Sequence, residues 1–160
     1  MNTNNRLLDQ LIKVYGFRQV VAKRRYENQA GVVEKCLQEL SDINQSIDRL
    51  NEKKEQNTAY MRADNNSSDA QKMVGALAYQ SQVSYDLERE SFYLELARDD
   101  LDLQQAALKN ILTEIEKFSV KIDSVTKLKL KNSRALESSD ELLREDDYLQ
   151  GLKVNGGSRV

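Results

Sequence analysis

Val33-Glu34-Lys35-Cys36-Leu37-Gln38-Glu39-Leu40-Ser41-Asp42-Ile43-Asn44-Gln45-Ser46-Ile47-Asp48-Arg49-Leu50 is the stretch that decides the fold. Val33, Cys36, Leu40, Ile43, Ile47 and Leu50 recur at alternating steps of three and four. An α-helix turns once in about 3.6 residues, so these steps lay all six on one face. A strict seven-residue repeat of this kind is the seam of a coiled coil. Toward the N-terminus the same steps meet Leu8, Ile12, Tyr15, Gln19, Ala22, Tyr26 and Gln29, of which Gln19 and Gln29 are polar.

A second run carries the same signature. It passes through Ala76, Gln80, Val83, Leu87, Glu90, Leu94, Ala97, Leu101, Gln104, Leu108, Ile111, Ile115, Phe118, Ile122 and Val125. The 160-residue chain contains no proline, which permits helices of this length. A compact globule would need strand-like alternation or several turn signals, and neither is present. The one clear turn signal is Ala63-Asp64-Asn65-Asn66-Ser67-Ser68-Asp69. Ser68, with Gln71 three residues on, reads as a capping box. The expected organisation is a single hairpin over residues 1–150, with helices at about 4–62 and 69–150 and a loop at about 63–68. Gly151 is the expected C-cap, and 151–160 the expected disordered tail.

A loop this short makes the helices antiparallel neighbours. The fold class is therefore all-α, a long antiparallel two-helix coiled-coil hairpin. Pairing about the loop sets Leu50 near Val83, Leu40 near Leu94, Val33 near Leu101 and Ile12 near Ile122. The longer second helix overhangs from about Thr126 to Gln150, a segment expected to fray without a partner.

The chemical inventory is poor. The chain has no histidine and one cysteine, Cys36, so a His-based triad or a zinc site of the usual ligands cannot be assembled. No glycine-rich phosphate loop occurs. Asp99-Asp100 and Asp146-Asp147 read as solvated helix surface. No enzymatic activity, cofactor or metal is expected. No apolar run is long enough to cross a membrane, and no secretory signal is evident, so a reduced cytoplasmic setting is expected.

Charge is distributed unevenly. Residues 1–25 carry Arg6, Lys13, Arg18, Lys23, Arg24 and Arg25 against Asp9. Residues 117–134, which pair with them, carry Lys117, Lys121, Lys127, Lys129, Lys131 and Arg134 against Asp123. Residues 86–102 carry seven acids against Arg89 and Arg98. Two basic stretches side by side suit an anionic partner better than a merely solvated face. Nucleic acid is not expected, because no groove-reading motif is present and the whole chain is slightly acidic. Leu7, Val14, Phe17 and Val21 form a second apolar stripe outside the seam. Tyr79, Tyr85, Phe92 and Tyr93 form an off-seam aromatic cluster suited to a partner.

Leu8-Asp9-Gln10-Leu11-Ile12-Lys13-Val14, followed by Arg18 and Ala22, resembles the N-terminal helix of the YscO and FliJ group. These are stalk proteins of bacterial type III secretion and flagellar export. The size, the loop position and the long charged second helix are also similar. The resemblance implies a coiled coil whose termini insert into a hexameric export ATPase and whose body links that ring to the cytoplasmic domain of the export gate. It places the protein at the cytoplasmic face of the inner-membrane secretion apparatus. It implies ATPase binding through Phe17, Arg18, Val21, Lys23, Arg24, Arg25, Lys121, Lys127, Lys129 and Lys131. It implies gate or secretion-chaperone binding around Tyr79, Tyr85, Phe92 and Tyr93. A flagellar chaperone escort and a purely structural, self-associating coiled coil are the alternatives.

Overall fold

A computed structural model describes residues 3–63 and 69–157. It contains two helices, α1 over Thr3–Arg62 and α2 over Ala70–Gly157, packed against each other as an all-α hairpin. The expected loop at about 63–68 lies, beyond Ala63, outside the described residues.

Every seam residue named from the sequence is buried or half-buried, on both helices. The partners across the hairpin keep the expected register, with Tyr15 against Phe118 and Gln29 against Gln104. The best-buried side chains are Ala22, Val33, Cys36, Ala76, Val83, Ala97 and Ile111. None of the larger seam residues is fully enclosed. Two helices can cover a seam from only one side each, so its flanks stay open to water.

The chain divides into two compact units, Met1–Arg24 with Ile111–Val160 and Arg25–Asn110. In the first, the Tyr15 and Phe118 rings lie 6.4 Å apart. Gln19 Nε2 donates to Ser119 Oγ at 2.6 Å. Asp9 pairs with Lys129, and Asn5 Nδ2 reaches Ser133 Oγ at 3.5 Å. Pairing thus continues to residue 133, and the overhang begins at Arg134 rather than near Thr126. Residues 134–152 are all exposed.

In the second unit, polar seam positions join in a network. Gln29 Nε2 donates to both the backbone oxygen and Oε1 of Gln104, at 3.0 and 2.8 Å. Gln104 Nε2 donates to Asp100 Oδ1 at 3.2 Å, and Cys36 Sγ donates to Asp100 Oδ2 at 3.5 Å. Nearer the loop, Asn57 Nδ2 donates to the Ala76 oxygen and to Gln80 Oε1, both at 2.9 Å. Polar groups in a seam set register, because sliding one helix leaves them without partners.

Asp69 caps α2: its Oδ1 accepts from the amides of Gln71 and Lys72 at 3.0 and 3.3 Å. Its carbonyl accepts from Met73 N, the first bond inside the helix. Ser68 lies outside the described residues. Gly151 does not end α2, which runs on through Gly157, so 151–157 is helix rather than tail. No glycine among the described residues has the positive φ that a left-handed cap requires. Residues 158–160 lie outside the description. No helix is long and apolar enough to cross a membrane among the described residues.

Two stability predictions follow from these contacts. Asp69→Ala should cost about 1 kcal/mol by losing its two amide partners, read by urea unfolding followed by circular dichroism. Gln29→Leu should cost about 1 kcal/mol by leaving Gln104 without its donor. Gln29→Leu with Gln104→Leu should recover that loss, because no polar group is then stranded in the seam.

Candidate partner-binding surfaces

The outer face of α1 in the first unit is built by a second helical period. Leu7, Leu11, Val14, Phe17 and Val21 follow one another at steps of four, three, three and four. The seam face is turned toward α2, so this stripe is left in solvent. Phe17 is 70% exposed and Leu7 54%. Leu11 and Val20, also exposed, were not among the residues singled out from the sequence. Their signal was present as helical spacing from Leu7 and Phe17.

Arg6, Lys13, Arg18, Lys23 and Arg24 surround the stripe and are exposed. On α2 of the same unit, Lys127 and Lys131 stand one helical turn apart and are exposed. Val120, Leu128 and Leu130 add apolar surface beside them. Lys121 is exposed, but its ammonium sits over the Tyr15 and Phe118 rings, 5.5 and 5.6 Å from their centroids. A cation over an aromatic face is held by the ring quadrupole. The expected basic cluster therefore comes together in part.

Two residues depart from it. Lys129 occupies a seam position, is half-buried and pairs with Asp9. Its charge is used within the hairpin, which removes it from the outward surface. Arg25 belongs to the other compact unit. Phe17, Arg18, Val21, Lys23, Arg24, Lys121, Lys127 and Lys131 all lie in the first unit and are exposed.

The aromatic cluster lies wholly in the second unit and forms two rows. Tyr85 and Phe92, seven residues apart, are 61% and 58% exposed. Tyr79 and Tyr93, two heptads apart, are less so. The Phe92 and Tyr93 rings meet at 6.2 Å and join the rows. Phe92 lines a shallow groove with Lys54, Leu87, Glu88 and Glu95. Tyr93 lines another with Glu39, Ile43, Leu96 and Asp100. Both grooves mix apolar and charged side chains in their lining.

No set of three or more histidine, cysteine, aspartate or glutamate side chains is placed to hold a metal ion among the described residues. Cys36 is a seam residue, and its thiol is pushed up from the ordinary value. Burial is the main cause, followed by the hydrogen bond to Asp100 and the charges of Asp100 and Glu39. All of these favour the neutral thiol over the thiolate that nucleophilic or metal-binding chemistry needs.

No family model, curated protein or solved structure matches this chain.

The thiol shift has a signed consequence. A raised value keeps Cys36 protonated to higher pH in the folded chain than in the unfolded one. Alkylation by iodoacetamide should therefore start at higher pH in the folded chain than the ordinary thiol onset near about 8.5, which the urea-unfolded chain should show. Asp100→Asn should move the folded onset back down.

Proposed function

We propose that this protein is the central stalk of a bacterial type III secretion system, acting in the cytoplasm by binding rather than by catalysis. In this reading the first unit binds the hexameric export ATPase, and the second binds the cytoplasmic domain of the export gate. Secretion chaperones are further candidate ligands of the second unit. The support is the outer face of the first unit. There Phe17 and Val21 stand exposed among Arg18, Lys23 and Arg24, on the helix that resembles the stalk family.

The physical logic is that of an interface. Exposed apolar anchors supply affinity once water is excluded, and surrounding cations steer an acidic partner. Lys127 and Lys131 extend the cationic surface on α2, while Lys129 helps hold the hairpin closed through Asp9. The aromatic rows of the second unit offer a chemically different face. Tyrosine and phenylalanine bury much area at little entropic cost. A protein that joins two machines needs two such unlike surfaces.

The test is co-sedimentation of the full chain with the export ATPase of its own secretion system. Reversal of Arg18, Arg24, Lys127 and Lys131 to glutamate should abolish association, with helicity unchanged by circular dichroism. Tyr85→Ala with Phe92→Ala should leave ATPase association intact and weaken gate-domain binding by at least about tenfold, the loss of one strong anchor. ATPase association that survives the four charge reversals would overturn the assignment.

A further inference from the structure

The α2 seam does not stop where α1 stops. Its heptad row Ile115, Ile122 and Lys129 is continued by Leu136 and Leu143. A neighbouring row, Leu142 and Leu149, widens the band. In the paired region this face is covered by α1. Beyond residue 133 it is bare: Leu136 is 41% exposed, Leu143 61%, Leu142 64% and Leu149 56%. The helix is unbroken through Gly157, so the overhang has no turn by which to fold back onto its own hairpin.

Within the same unit, α1 carries a matching bare stripe. Leu7, Val14 and Val21 also stand seven residues apart, with Leu11 and Phe17 beside them. The two surfaces agree in length. Leu136 to Leu149 spans about 20 Å of helix, and Leu7 to Val21 about 21 Å. They are opposite in charge. Residues 3–24 hold five basic side chains against Asp9, a net of four positive. Residues 134–152 hold six acidic side chains against Arg134 and Arg144, a net of four negative.

We propose that two copies of the chain form a two-fold dimer in which the acidic overhang of each lies along the basic outer stripe of the other's α1. The geometry closes. With the first units of the two copies antiparallel, each overhang runs parallel to the partner copy's α1 and starts beside the first turns of that helix. Both bare bands are then covered at once, and the contact is isologous, so assembly stops at two copies. Heptad rows on both sides allow knobs-into-holes packing, and the flanking charges set orientation. The proposal does not depend on the secretion reading. It concerns the same α1 face, so the dimer would be a form in which that face is covered.

Sedimentation equilibrium of the full chain tests it. A dimer should form at low ionic strength and weaken by about tenfold or more as salt rises from about 0.05 to 0.5 M, since exposed charge pairs are screened. Glu137, Asp140, Glu141 and Glu145 all changed to lysine should give a monomer with unchanged helicity. Mixing that variant with one carrying Arg6, Lys13, Arg18 and Arg24 changed to glutamate should restore a heterodimer, in which both reciprocal contacts pair opposite charges, one with the native signs and one with them reversed. A chain that is monomeric at every concentration up to about 100 μM overturns the proposal. So does a dimer that persists in the lysine variant, because it would use another surface. Failure of the mixed variants to associate also overturns it.

Discussion

Everything in this molecule depends on a seam that two helices must share. Alternating steps of three and four keep the mostly apolar residues of Leu8–Leu50 in α1 on one face, and α2 answers with the same period. A two-helix seam is thin. Its most enclosed residues are alanines, valines, the cysteine and one isoleucine, and its large side chains stay partly wet. Stability is therefore spread over many layers, each contributing modestly, rather than concentrated in a deep core.

A thin and repetitive seam raises a problem of register. One heptad looks much like the next, so apolar packing alone would tolerate a slip of seven residues. The polar layers answer this. Gln29 with Gln104, Asn57 with Gln80, Gln19 with Ser119 and Asp9 with Lys129 each require a particular partner opposite. A slip would break these pairs together and leave amides half-buried without partners. Cys36 is drawn into the same network through Asp100, and burial first, then this hydrogen bond, push its thiol up from the ordinary value.

The seam also decides what is left over for binding. Apolar side chains outside it have no place in a two-helix structure, so they face water. Two such groups stand in different chemical settings. The α1 stripe in the first unit sits among cations, and the aromatic rows in the second unit border carboxylates such as Glu88 and Glu95. A protein with two unlike exposed surfaces is suited to connecting partners, which is the basis of the stalk proposal.

The amino-acid sequence by itself determined the two helices, their antiparallel pairing and the seam layers over Leu8–Leu50 and Ala76–Val125. Each of these follows from local periodicity and one polar turn, and local signals survive without knowledge of the tertiary structure. The exposed stripe and the aromatic rows were also legible, since a residue off the seam of a two-helix hairpin has nowhere to hide. Tertiary structure decided what depends on the distance to a partner. It showed Asp69 as a cap of α2, because its carboxylate meets the free amides of Gln71 and Lys72. It moved Lys129 from the outer surface into a seam position opposite Asp9, an assignment that needs the register to extend four residues past Val125. It carried α2 through Gly151, where glycine's freedom is not used. It also placed the end of pairing at Ser133, which leaves Leu136 and Leu143 on a seam face with no helix of their own chain to meet.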